Sequence, residues 1–73
     1  MYNFSELSDH IIGGIVETPN YLRFTMYSNH VPYKRDIIER ADKQYSCISI
    51  NDITDDEERE EGLSYSEVEL ILI

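Results

Sequence analysis

The alternation of apolar and polar residues predicts a β-hairpin in the first third of the chain. Residues 11–17 are rich in β-branched side chains, which favour a strand. In residues 21–27 every second side chain is large and apolar, namely Leu22, Phe24 and Met26. Thr, Pro and Asn at residues 18–20 are typical turn residues, so a three-residue connection is predicted. The pair Gly13 and Gly14 indicates a bulge or bend in the first strand.

The spacing of apolar residues changes after this hairpin. Over residues 34–43 the apolar positions fall within one sector of a helical projection, and they are Ile37, Ile38 and Ala41. This spacing predicts an amphipathic helix. A strand pattern returns at residues 45–50, where Ile48 and Ile50 are expected to share one face.

The last ten residues predict a strand that is apolar on both faces at its end. Residues 64–73 alternate at first and then finish with the run Leu70–Ile73. Such a strand needs cover on both sides, so we expect an inner strand or part of a subunit interface. Near the other terminus, Asn3 and Glu6 have the spacing of a capping box, which predicts a short helical turn.

Together these elements predict an α+β fold. The expected structure is a small single domain over residues 1–73. Its mainly antiparallel four-stranded sheet has one amphipathic helix, at about residues 34–43, between the second and third strands.

Composition restricts the class of protein. The chain has 73 residues with 15 acidic and 6 basic side chains, a formal charge of −9. Direct nucleic-acid binding is therefore not expected, because phosphates are neutralised by clustered Lys and Arg. No signal peptide and no apolar run of membrane-spanning length is found in the sequence. A single cysteine, Cys47, cannot form an intrachain disulfide, so we expect a cytoplasmic protein.

Nearly all of this charge lies in one part of the chain. Residues 1–50 carry six acids and five bases, whereas residues 51–73 carry nine acids and one base. The densest part, residues 52–61, is called the acidic segment. Thr54 and Glu57 have the spacing of a second capping box, and Gly62 is well placed to end a helix. The sequence leaves open whether the acidic segment is a short solvated helix or a mobile loop.

The acidic segment predicts a binding surface for a basic partner. Seven acids in ten helical residues would give about one charge per 2 Å, close to duplex DNA at about one per 1.7 Å. An extended segment would not reach this density. The predicted partner-binding residues are the seven acids Asp52, Asp55, Asp56, Glu57, Glu58, Glu60 and Glu61.

Two tyrosines are secondary members of the predicted surface. Tyr21 and Tyr27 lie on the face of their strand opposite the apolar residues, where exposed tyrosines are typical of interfaces. The alternative is that the predicted helix covers this face and buries them.

The leading hypothesis is a noncatalytic inhibitor of the kind that viruses and mobile elements encode. It would occupy the basic, nucleic-acid-binding site of a partner protein in the host cell. The alternative is a small accessory subunit that forms a homodimer through Leu70–Ile73, with the acidic segment serving only solubility.

Catalytic and metal sites are not predicted, and neither is a cofactor. Cys47, His10 and His30 lack the close spacing of a zinc site or a nucleophile–base pair. A calcium loop starting at Asp52 would have Glu in place of Gly at its sixth position and Leu in place of Glu at its twelfth.

Overall fold

A computed structural model describes residues 2–73 of the chain. In this range six strands form one mixed sheet, and two short α-helices lie between strands along the chain. The elements are β1 (Tyr2–Asn3), α1 (Phe4–Ser8), β2 (Ile11–Thr18), β3 (Tyr21–Tyr27), β4 (Ile37–Arg40), β5 (Lys43–Asp52), α2 (Asp56–Glu60) and β6 (Tyr65–Leu72), with a 3-10 turn at Ser28–His30. The strand order across the sheet is β1-β4-β5-β6-β3-β2, and only β1 and β4 run parallel.

The core lies on one face of this sheet. Its buried apolar residues are Leu7, Leu22, Phe24, Met26, Ile38, Tyr45, Cys47, Val68 and Leu70. The alternation predicted for β3 is confirmed, since its three apolar side chains are all buried. The opposite face of the sheet is called the outer face.

The sheet curls so that its distant strands meet over the core. Arg40 at the end of β4 forms a 3.0 Å ion pair with Glu17 of β2, although three strands lie between β4 and β2 in the sheet. Helix α1 packs inside the curl, where the rings of Phe4 and Phe24 meet edge to face at 5.8 Å. The predicted Asn3–Glu6 capping box is confirmed at the start of this helix. The core is therefore enclosed by the curl and by one short helix.

The predicted four-stranded sheet with a helix at 34–43 is wrong. Residues 37–52 instead form the β4–β5 hairpin, which closes through Ala41 and Asp42. Both turn residues have positive φ, at 50° and 66°, which is the left-handed conformation of a tight hairpin turn and is incompatible with a right-handed helix. The helical spacing was misleading because Ile38 is fully buried opposite Tyr45 of the next strand, a pairing that no local pattern reveals.

A bulge in β5 also corrects the predicted faces of that strand. Cys47 pairs with Leu70 and Ile50 pairs with Val68, so both lie on the core face. The register shifts between Cys47 and Ser49, which leaves Ile48 as the additional residue, and its side chain is 41% exposed. The expectation that Ile48 and Ile50 share a face is therefore wrong, because strict alternation does not continue through a bulge.

Candidate protein-binding surface

The acidic segment connects β5 to β6 and is held in a compact conformation. Helix α2 begins with a capping box between Asp55 and Glu58, one residue later than the predicted box at Thr54 and Glu57. At its end the amide of Gly62 donates to the Arg59 carbonyl, and the following amide donates to the Glu58 carbonyl. This pair of hydrogen bonds is a Schellman motif, which the φ of +80° at Gly62 permits. The predicted helix end at Gly62 is confirmed.

Thr54 attaches the acidic segment to the sheet instead of capping the helix. Its Oγ1 accepts a 2.8 Å hydrogen bond from the Tyr65 amide and lies 3.2 Å from the Tyr65 carbonyl oxygen. The Ile53 amide also donates to the Tyr65 carbonyl at 3.0 Å. These bonds connect the start of the acidic segment to the first residue of β6. Of the two alternatives left open by the sequence, the structure shows the short helix.

Only half of the acidic segment is helical. Helix α2 covers five residues, so the continuous ten-residue helix used for the charge-density argument is not present. Six of the seven predicted acids are exposed and Glu58 is half-buried in its capping box. Their carboxylates therefore lie on one compact, solvated projection.

Arg59 neutralises part of this charge. Its Nη2 lies 3.4 Å from a carboxylate oxygen of Asp52, with both side chains about half exposed. Hydrogen bonds from Thr54 and the charge of Arg59 hold the pKa of Asp52 below its usual value. Asp52 is thus engaged within the segment, and the acids of α2 carry most of its available charge.

Tyr27 packs against Tyr65, a tyrosine that the sequence prediction missed and whose amide donates to Thr54 of the acidic segment. The rings of Tyr27 and Tyr65 are 5.6 Å apart on paired residues of β3 and β6. Burial, together with the carboxylates of Glu58, Glu61 and Asp55, raises the pKa of Tyr65. Tyr65 lies four residues after Glu61, the last residue of the acidic segment, and this closeness in the sequence was the available signal.

Tyr21 is at the other end of β3 and does not join this group. It pairs with Ile71, six residues along β6 from Tyr65. Its hydroxyl donates a 2.8 Å hydrogen bond to Glu69, which raises the pKa of Tyr21. The structure therefore separates the two tyrosines that the sequence analysis placed on one surface.

The outer face of β6 connects the acidic segment to an apolar region. Alternate residues of this strand share the face, and in order they are Tyr65, Glu67, Glu69 and Ile71, followed by Ile73 just beyond the strand. Because β6 lies between β5 and β3, this row runs along the middle of the sheet. We call it the outer row.

The residues considered for catalysis are not assembled into a site. Cys47 is buried in the core, and burial raises the pKa of its thiol. The rings of His10 and His30 stack in parallel at 3.6 Å, and no described contact joins either ring to Cys47. Across residues 2–73, no group of three or more His, Cys, Asp or Glu is arranged to hold a metal ion.

Comparisons of this chain with protein families, curated proteins and solved structures found no match. None of the helices between residues 2 and 73 has the length and apolar character of a membrane span.

Proposed function

We propose that this protein is a noncatalytic inhibitor that places its acidic segment on the basic, nucleic-acid-binding site of a partner protein. The observation that carries the proposal is the compact conformation of the acidic segment. A capping box, a Schellman motif and hydrogen bonds to β6 hold its carboxylates in place before any partner arrives. Such preorganisation lowers the ordering cost of binding.

The charge distribution supports fast and orientated association with a cationic site. Residues 51–73 carry a net charge of −8 out of the total of −9, and seven of their nine acids lie in the acidic segment. Complementary charge raises association rates and determines which side of the molecule faces the partner.

The proposed setting is the cytoplasm of a host cell, where a viral or mobile-element protein would meet such a partner.

The test uses a variant that removes charge and keeps the helix. Asp55→Asn, Asp56→Asn, Glu57→Gln and Glu58→Gln together change the formal charge from −9 to −5. Asn and Gln still form the capping box, so α2 is expected to persist. The partner is first captured from the native host on the immobilised wild-type protein, then purified and titrated. The expected affinity loss is about 100-fold, from about 0.7 kcal/mol per charge.

A matched control removes the same charge elsewhere. Glu6→Gln, Asp9→Asn, Glu39→Gln and Asp42→Asn also give −5 and replace four exposed acids outside the acidic segment. This control should bind nearly as tightly as wild type, and excess duplex DNA should displace the wild-type protein from its partner. Equal losses in the two variants, or binding that does not respond to salt and DNA, would contradict the proposal.

The alternative accessory-subunit function is favoured by one observation. Ile71 and Ile73 are 42% and 69% exposed on the outer face, whereas Leu70 is fully buried in the core. A homodimer through the C-terminal strand would therefore use its outward side chains. Sedimentation at several protein concentrations tests this second function.

A further inference from the structure

The outer row has an acidic end and an apolar end, and the proposed function involves only the acidic end. One end, at Tyr65, adjoins the acidic segment, and the other end, at Ile71 and Ile73, is apolar. Tyr65 and Ile71 are six residues apart on one strand, which corresponds to about 20 Å. An acidic end and an apolar end thus lie within the span of a single interface element.

Residues of β5, and of β4 beyond it, widen the apolar end. Ile37 of β4 and Ile71 of β6 both pair with Ser46 of β5, so they lie in one row across the sheet. The β5 bulge places Ile48 beside Ser49, opposite Glu69. We call the four residues Ile37, Ile48, Ile71 and Ile73 the outer apolar patch.

The charges between the two ends determine the chemistry of the partner. Glu67 and Glu69 occupy the middle of the outer row, and Arg23 of β3, paired with Glu69, is the base on the adjoining strand. A second copy of this chain would bring like charges together over this region. A surface with Lys or Arg beside apolar side chains is complementary to it.

We propose that the whole outer row binds one partner protein whose contacting element is basic at one end and apolar at the other. The basic end meets the acidic segment, Glu67 and Glu69, and the apolar end covers the outer apolar patch. This inference rests on the proposed function for the acidic end, and it adds the outer apolar patch as the region that gives short-range affinity. Charge then supplies orientation, and burial of Ile48 and Ile71 slows dissociation.

Two helical peptides test the inference without knowledge of the natural partner. Each has about 14 residues, which spans about 21 Å. The first peptide has lysines in one half and leucines in the other. The second has the same lysines, with glutamine in place of every leucine. At about 0.15 M salt, where exposed charges are substantially screened, the wild-type protein should bind the first peptide at least about tenfold more tightly.

Variants of the outer apolar patch locate this preference. Ile48→Thr together with Ile71→Thr should reduce the ratio of the two affinities to about one, because Thr keeps the β-branch and removes apolar surface. Ile15→Thr is the control for a single Ile-to-Thr change elsewhere, since Ile15 is 58% exposed on β2, outside the patch. The control should keep the wild-type ratio, and near-UV circular dichroism should confirm that all variants are folded.

The possible outcomes separate this inference from the proposed function. If wild type binds both peptides equally, or if Ile15→Thr lowers the ratio as much as the patch variant, the inference is overturned and the proposed function stands. The variant with Asp55, Asp56, Glu57 and Glu58 replaced tests the acidic segment separately. If this variant binds the lysine–glutamine peptide as tightly as wild type does, the proposed function fails. A concentration-dependent dimer that Ile71→Thr abolishes would assign the patch to a second copy and overturn the commitment to a basic partner.

Discussion

At the residue scale, Cys47 shows how burial determines chemical behaviour in this chain. Its side chain is 1% exposed, and burial raises the pKa of the thiol. Since the thiolate is the reactive form, we expect iodoacetamide to modify Cys47 at least about 100-fold more slowly in the folded protein than in urea. The pH at which the folded-state rate rises should also be higher than in the unfolded chain. Mass spectrometry of quenched samples measures both, and equal rates in the two states would contradict the burial of this thiol.

Residue patterns predicted exposure well where the strand is regular and poorly where it is not. Regular alternation in β3 identified the buried Leu22, Phe24 and Met26. In β5 a single additional residue placed Ile48 on the outer face, away from Ile50, with which it was expected to share a face. Bulges depend on pairing with neighbouring strands, so a single-strand pattern cannot locate them. The outer apolar patch therefore could not be derived from the sequence.

At the element scale, the ends of the two helices were predicted to within one residue, whereas the elements between β3 and β5 were not. Capping at Asn3 and the helix end at Gly62 depend on residues within one turn, and both are confirmed. The β4–β5 hairpin depends on the contact of Ile38 with a core built from distant strands. Its turn residues, Ala41 and Asp42, are not the Asn-Gly pair that usually signals a tight hairpin. The four predicted strand regions are strands. The errors are β4, which replaces the predicted helix between the second and third of them, and the unpredicted β1, which pairs parallel with β4.

The same turn gives a prediction about stability. Ala41 and Asp42 both have positive φ, which is unfavourable for alanine in particular. We expect Ala41→Asn with Asp42→Gly to stabilise the protein by about 1 kcal/mol, because both new residues adopt this conformation more readily. For a chain of this size the corresponding rise in Tm is about 4–8 °C. Thermal unfolding followed by circular dichroism measures the rise.

A control for this prediction uses the β2–β3 turn. The connection is Pro19 and Asn20, one residue shorter than predicted because Thr18 pairs with Tyr21. Neither connecting residue is among the described residues with positive φ, so an Asn-Gly pair has no comparable advantage there. Pro19→Asn with Asn20→Gly should therefore not raise Tm. A similar gain at both turns would show that the effect is not due to the left-handed conformation.

At the scale of the whole molecule, the concentrated negative charge on which the proposed binding depends also opposes folding. Helix α2 and its flanking residues concentrate six acids between Asp55 and Glu61, with Arg59 as the one base in that stretch. Three of the acids lie in the first turn, where the helix dipole is favourable to them, and Glu60 and Glu61 lie at the opposite end. The caps thus order the segment in spite of the repulsion between its carboxylates. This repulsion is an unfavourable contribution to the free energy of folding, and a partner with opposite charge would reduce it.

This repulsion predicts that salt stabilises the protein. Raising NaCl from about 0.01 M to about 1 M shortens the screening length from about 30 Å to about 3 Å, so the carboxylates repel each other less. We expect Tm to rise by about 5 °C, equivalent to about 1 kcal/mol.

The variant with Asp55→Asn, Asp56→Asn, Glu57→Gln and Glu58→Gln should show less than half of this rise, because it removes charge where the density is highest. The control variant of equal charge, altered at Glu6, Asp9, Glu39 and Asp42, should keep most of it. Equal responses in the two variants would mean that total charge, and not its concentration in the acidic segment, determines the stability of this fold.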